Sequence, residues 1–187
     1  MIAVLGWVGS FLYLINHSYI SVVRNWNPKI YYTGNLIAAV FLVISSIIVI
    51  SYQAAVINTF WAVISVLLLL NVDVKKIPLS RRAFNVGFII LLIWLAFSAV
   101  QLSWSSPVFH ANLGWSSSYV FCLSYFLFSS KKLSQRKYLL FNVYAACALL
   151  PTLWNQENWP VFSLEICWAL ISAYGMLSRQ EPLHLID

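Results

Sequence analysis

Seven long apolar segments divide the sequence, and they restrict what the chain can fold into. A helix needs roughly 17–25 residues to cross the hydrocarbon core of a membrane. Segments of about this length lie at Ile2–Val22, Tyr31–Ile50, Ala54–Leu70, Phe84–Leu102, Leu113–Phe128, Tyr138–Trp154 and Pro160–Leu177. Only 9% of the 187 residues are charged and 61% are hydrophobic, which is too little polar surface for a soluble globule. The sequence therefore predicts an all-α integral membrane protein with seven transmembrane helices.

The basic residues indicate how these helices are oriented. Every Lys and Arg falls after the first, third or fifth predicted helix or in the C-terminal tail, at Arg24, Lys29, Lys75, Lys76, Arg81, Arg82, Lys131, Lys132, Arg136, Lys137 and Arg179. Cytoplasmic loops carry an excess of Lys and Arg. We therefore expect the N-terminus outside and the C-terminus inside. The formal net charge of +6 then reports topology, and no nucleic-acid partner is expected.

Two stretches of the sequence resemble each other, segment by segment and in the same order. LGWVGSFLYL at Leu5 returns as LGWSSSYVFC at Leu113, YYTGNLIAAV at Tyr31 returns as YLLFNVYAAC at Tyr138, and INTFWAVISV at Ile57 returns as LEICWALISA at Leu164. Each stretch covers three predicted helices, and residues that align in this way are called corresponding residues below. A single helix separates the two stretches, so both enter the membrane in the same direction and form parallel repeats.

This repeat predicts four segments. Residues 1–72 form the first three-helix repeat. Residues 73–112 contain a cytoplasmic loop, a linker helix and an outer loop. Residues 113–179 form the second three-helix repeat, and residues 180–187 form a cytoplasmic tail.

A parallel 3+1+3 arrangement with an outer N-terminus resembles the SWEET sugar transporters and the PnuC vitamin transporters. SemiSWEETs build the same architecture from two three-helix chains. The N-x-x-W of the third helix, the polar residue of the second and the glutamate of the seventh resemble small bacterial inner-membrane proteins of the YgjV type and related three-helix domains of unknown function. The resemblance implies a SWEET-like fold in the bacterial inner membrane and transport of a small polar solute, such as a sugar or a vitamin-like molecule.

Polar residues recur inside the predicted helices at matching repeat positions. One face of the third helix carries Asn58 and Trp61, and the matching face of the seventh carries Glu165 and Trp168. The second and sixth helices each add one asparagine. In SWEET-like proteins an Asn and a Trp from each unit line the sugar site. The resemblance therefore implies the substrate-binding residues Asn35, Asn58, Trp61, Asn142, Glu165 and Trp168.

A second interpretation stays open. Asn and Ser in membrane helices also bind neighbouring helices, at roughly 0.6 kcal/mol each. The chain could then be a non-transporting scaffold or assembly factor whose polar residues only pack helices. Glu165 favours a functional role over a purely structural one. A carboxyl group inside a membrane is costly, and here it replaces the amide of Asn58.

The remaining residues indicate neither an enzyme nor a metal or cofactor site. The three cysteines lie in apolar segments without ligand spacing. We expect His17 in a capping or interfacial position at the cytoplasmic end of the first helix, His110 in an outer loop and His184 in the tail. The expected partners are the lipid bilayer and a small polar solute, and a homo-oligomer remains open.

Overall fold

The structure, a computed structural model, describes residues 2–178 and, for side chains, residues 4–178. Within this part the chain forms seven α-helices, a short 3-10 helix and no strand. The helices are α1 (Ile2–Val22), α2 (Pro28–Ile48), α3 (Tyr52–Leu69), α4 (Arg81–Gln101), α5 (Pro107–Ser129), α6 (Gln135–Asn155) and α7 (Trp159–Ser178), with the 3-10 helix at Val74–Lys76. An all-helical chain with seven helices is thus confirmed for these residues. Arg179, His184 and the predicted tail lie outside them.

Four of the described helices are long and apolar enough to cross a membrane, namely α2, α3, α4 and α7. The other three are equally long. They carry groups of polar side chains, such as Asn16–Ser18 in α1, Ser116–Ser118 in α5 and Gln135–Lys137 in α6, which lower their mean hydropathy. The apolar helices indicate a membrane protein.

Capping residues start three helices a few residues before the predicted positions. The side chains of Asn27, Ser80 and Ser134 accept hydrogen bonds from backbone N–H groups in the first turns of α2, α4 and α6. Asn and Ser are favoured at this position because they satisfy N–H groups that the helix leaves open. Basic residues such as Lys29 and Arg136 therefore lie in first turns of helices and not in loops.

The fifth helix begins at Pro107, well before the predicted start at Leu113. Proline suits the first helical position because its missing N–H has no partner there in any case. Residues 107–112, expected to form an outer loop, are therefore helical, and the connection after α4 is limited to residues 102–106. His110 consequently lies in α5 and not in a loop.

The α2–α3 and α6–α7 turns have the same backbone geometry. Each turn contains a non-glycine residue in the left-handed region, Ile50 at φ 57° and Glu157 at φ 53°. The N–H of the next residue donates to the carbonyl five residues earlier, at 2.8 Å in the first turn and 3.1 Å in the second. This is the Schellman motif. Ile50 and Glu157 are corresponding residues of the predicted repeat.

Helix packing divides the described chain into two groups of three helices and one peripheral helix. In the first group α2 packs against α1 and α3, and in the second group α6 packs against α5 and α7. The groups meet along two seams, one between α1 and α7 and one between α3 and α5. Helix α4 packs against α5, and its Phe84 and Phe88 rings also contact α6. It buries only Phe84, Leu95 and Ser98.

Glycines allow close helix contacts at corresponding points of the two groups. A Cβ atom on Gly6 would lie 2.7 Å from Oγ of Ser45 in α2. A Cβ atom on Gly114 would lie 2.6 Å from Oγ1 of Thr152 in α6. Both distances are shorter than a van der Waals contact, so α1–α2 and α5–α6 approach each other in the same way.

Candidate solute-binding site

The four helices that form the two seams line one small cavity of about 10 Å³. This volume is enough for about one water molecule. The polar and aromatic residues of its lining are Tyr13, Asn58, Trp61, Phe121, Glu165 and Trp168. Four of the six predicted site residues are therefore brought together, one amide or carboxyl group and one tryptophan from each of α3 and α7.

Four aromatic rings form the walls of this cavity. Tyr13 makes edge contacts with Trp61 and Trp168 at centroid distances of 5.5 and 5.8 Å. Phe121 makes edge contacts with the same two rings at 5.8 and 6.3 Å. The tryptophan centroids are 5.1 Å apart. Tyr13 and Phe121 are corresponding residues of the repeat, as are the two tryptophans, so the walls are built from corresponding pairs.

Each tryptophan is stacked on a ring from the other helix group. On the α3–α5 seam, Tyr125 stacks on Trp61 with centroids 4.8 Å apart. Its hydroxyl lies 3.1 Å from Oγ of Ser65. These contacts hold the Trp61 ring between the cavity and a polar layer.

The α1–α7 seam repeats this arrangement with a histidine. His17 stacks on Trp168 with centroids 3.7 Å apart and planes 9° from parallel. Its Nε2 atom lies 2.8 Å from Oγ of Ser172. The side chain is only 1% exposed. The capping or interfacial position expected for His17 is therefore wrong, because the ring is enclosed between the two groups.

Two predicted site residues lie outside the cavity lining. Asn35 donates to the Tyr125 hydroxyl at 2.9 Å and accepts from Nδ2 of Asn16 at 3.0 Å. Asn142 is fully buried close to the hydroxyl of Tyr138. Asn35 thus belongs to the layer that supports Trp61, and neither asparagine faces the space between the tryptophans.

Several polar atoms of the lining have no hydrogen-bond partner among the described residues. They are Oε2 of Glu165, the hydroxyl of Tyr13 and Nε1 of both Trp61 and Trp168. Asn58 donates through Nδ2 to the carbonyl of Ala54 at 2.8 Å, so its Oδ1 atom remains an acceptor for the cavity. Buried polar groups without partners are rare because each costs free energy. The cavity therefore offers donors and acceptors to a polar ligand.

The sequence interpretation missed Tyr13, Phe121 and Tyr125, and it misplaced His17. A signal was present in the alignment of the two repeats, because Tyr13 corresponds to Phe121 and His17 to Tyr125. A sequence alignment of the first helix of each repeat does not show which way these aromatic rings point. Helix packing supplies that information by placing α1 and α5 beside the opposite tryptophans.

The two ends of the helix groups differ. At the end with the α2–α3 turn, Gln156 accepts from Oγ of Ser51 at 2.6 Å and donates to Oε1 of Gln53 at 3.1 Å. These bonds link the first group to the C-terminal end of α6. At the opposite end, a cleft of about 580 Å³ has Lys29 and Lys131 in its lining.

The described residues do not form a recognisable set of metal ligands. Among residues 2–178, no group of three His, Cys, Asp or Glu side chains is placed to hold a metal ion.

Seven helices in the described residues, four of them apolar enough to cross a membrane, indicate the class, an all-helical membrane protein. A protein-family model matches residues 2–76 and 110–181, which is most of the chain. The chain belongs to this family, whose function is uncharacterised. No match is found among curated proteins or among solved structures.

Proposed function

We propose that this protein is a membrane transporter that binds and moves a small polar solute, such as a sugar or a vitamin-like molecule. The observation that carries the proposal is the set of unpartnered polar atoms around the cavity, on Tyr13, Trp61, Glu165 and Trp168. An apolar core of the same shape would be more stable without these groups. A ligand that hydrogen-bonds to them accounts for their presence between two helix groups.

Matching contacts on the two seams support a pair of parallel three-helix repeats related by an approximate twofold axis. Ser10 donates to the carbonyl of Pro160 at 3.0 Å across one seam. Ser118 donates to the carbonyl of Gln53 at 3.4 Å across the other. The two donors are corresponding residues of the repeat, and so are the two acceptors. The family model also matches in two segments and leaves α4 between them.

The distribution of basic residues supports seven spans with the N-terminus outside, in a bacterial inner membrane. Every described Lys and Arg is exposed or half-buried and lies at a helix end or in a connection. All of them are at the end opposite the α2–α3 and α6–α7 turns. This asymmetry is that of the positive-inside rule. In this proposal the 580 Å³ cleft faces the cytoplasm.

The geometry corresponds to an occluded state of a transport cycle. The cavity has room for about one water molecule, and Gln156 closes the outer end by its bonds to Ser51 and Gln53. A larger solute enters only when the two groups separate along the seams. In this proposal α1 and α5 rock against their neighbours and expose the cavity alternately to each side.

A scaffold or assembly factor is the second candidate, and Asn35 favours it. Its side-chain amide is engaged by Asn16 and Tyr125, which leaves it no role toward a solute. If the cavity groups likewise serve only packing, no solute will stabilise the protein.

Ligand-dependent thermal stability separates the two candidates. The detergent-solubilised protein is heated with sugars, polyols, amines and vitamins, each added separately. A ligand at one hundred times its Kd adds about 2.7 kcal/mol to the free energy of unfolding and raises Tm by roughly 5–10 °C. A solute site is supported if one class of compound raises Tm and if this rise is lost in the Trp61→Ala or Trp168→Ala variant. Equal Tm values across the whole panel contradict it.

A further inference from the structure

The cavity has the composition of a site for a positively charged group. Four aromatic rings, those of Tyr13, Trp61, Phe121 and Trp168, surround one carboxyl group, that of Glu165. Aromatic faces attract cations, and the attraction increases when the cation is desolvated. We propose that the solute carries a primary ammonium group and that this group binds in the cavity. This inference rests on the proposed solute site and names the chemistry of its ligand.

The charge distribution leaves an ionised Glu165 without a counter-charge among the described residues. Glu165 is the only buried acid among the described residues, since Asp73 and Glu157 are exposed. No Lys or Arg in the same range is buried, and none lines the cavity. A carboxylate without a counter-charge is costly inside a protein. An ammonium group supplies both the charge and the donors that Glu165 lacks.

The size of the cavity selects among cationic groups. It accommodates a group about as large as one water molecule. An –NH₃⁺ group has about that size, whereas a quaternary ammonium carries three further methyl groups. In this closed geometry the site therefore favours a primary ammonium over a bulkier quaternary one.

Two oxygen acceptors and the aromatic rings are available to the three N–H donors of a primary ammonium. Glu165 offers Oε2, which has no partner among the described side chains and backbone groups. Asn58 offers Oδ1, because its Nδ2 atom is bound to the carbonyl of Ala54. The rings of Trp61 and Trp168, which line the same cavity, provide the remaining contact.

The repeat makes this site asymmetric. Glu165 and Asn58 are corresponding residues and contribute to the same cavity. One position carries a carboxyl group and the other an amide, so each chain has a single acidic group in this cavity. One ammonium group per chain follows from this count.

A thermal-shift series with matched probes tests the proposal on the whole protein in detergent. Ethylamine and ethanolamine, at a pH where they are charged, are compared with the neutral ethanol and ethylene glycol and with tetramethylammonium. Tm is expected to rise with the two primary amines only. An equal response to the neutral probes or to tetramethylammonium would overturn the proposal, and so would the absence of any response to the amines.

Two substitutions localise the effect. Glu165→Gln keeps the size of the side chain and is expected to weaken amine binding at least tenfold, whereas Glu157→Gln removes an exposed acid and should leave it unchanged. If Glu165→Gln does not yield folded protein, Asn58→Ala serves instead, with an expected loss of several-fold. Unchanged amine affinity in either cavity variant contradicts the assignment. Stabilisation by neutral sugars but not by amines would refute this inference and leave the proposed solute site standing.

Discussion

His17 shows how one side chain can link the two helix groups. It lies in α1 of the first group, stacks on Trp168 of the second and is hydrogen-bonded to Ser172. Tyr125 lies in α5 of the second group, stacks on Trp61 of the first and is hydrogen-bonded to Ser65. The site thus depends on two residues that present a flat ring to a tryptophan and a polar atom to a serine. Their chemistry differs, but their place in the packing is the same.

We expect His17→Ala to lower the free energy of unfolding by about 2–3 kcal/mol, because it removes a buried ring and a buried hydrogen bond. His17→Phe keeps the stacking on Trp168 and should cost less. Tyr125→Phe should cost about 1–2 kcal/mol, since it loses only the hydroxyl bonded to Asn35. Denaturant-induced unfolding in mixed micelles measures all three. A His17→Ala variant as stable as the wild type would show that the stack contributes nothing.

The paired glycines lead to a second prediction. Gly6→Ala places a methyl group against Oγ of Ser45, and Gly114→Ala places one against Oγ1 of Thr152. Each is expected to cost about 1–3 kcal/mol by overpacking. Removing the obstructing oxygen, as in Gly6→Ala combined with Ser45→Ala, should recover part of the loss. Thermal unfolding of the single and double variants provides the measurement, and purely additive effects in the double variant would contradict a direct clash.

At the scale of helices, the ends of α2 and α6 contain strain that evolution could have avoided with glycine. Ile50 adopts φ 57° although it is β-branched, a conformation that non-glycine residues rarely take. Glu157 adopts φ 53° at the corresponding place. Both repeats thus have the Schellman motif, although neither has a glycine at the left-handed position. Their shared geometry comes from the turn and not from the local sequence.

We predict that Ile50→Gly raises the free energy of unfolding by about 1 kcal/mol. The left-handed region costs a non-glycine residue roughly 1–2 kcal/mol, and the entropy of glycine offsets part of this gain. Glu157→Gly should behave alike. Ile48→Gly, inside the last turn of α2, is the control and should destabilise by about 1 kcal/mol. Chemical unfolding of all three variants measures the change in the free energy of unfolding. It shows whether glycine destabilises the protein at position 48 and stabilises it at position 50.

Helix number and approximate helix positions could be predicted from the sequence because long apolar segments are a strong signal. Helix starts were harder, since caps such as Ser134 and the proline at Pro107 act locally and extend helices into polar sequence. For the site, repeat positions identified Trp61 and Trp168, but not the rings of α1 and α5 beside them. Asn35 illustrates the limit, because intramembrane polarity does not distinguish a solute ligand from a hydrogen bond to Tyr125.

For the whole molecule, the basic residues predict the cytoplasmic side. Val72 and Ser105 are exposed and lie in connections on opposite sides of α4. In intact cells, Ser105→Cys is expected to react with a membrane-impermeant maleimide, whereas Val72→Cys should react only after permeabilisation. The wild type, with its own three cysteines, is the labelling control. Equal labelling of both positions in intact cells would exclude α4 as a single crossing.

The peripheral position of α4 affects how the protein could be made from two genes. It packs against α5 and α6, and both seams are formed by other helices. A break in the exposed connection at residues 102–106 would leave every described seam contact available to two separate polypeptides. One would end with α4 and the other begin with α5, and co-expression should restore the intact assembly in the membrane. Covalent continuity would then matter for equal supply of the two halves and for their insertion. The affinity between the halves would reside in the seams and in the packing of α4 on α5 and α6.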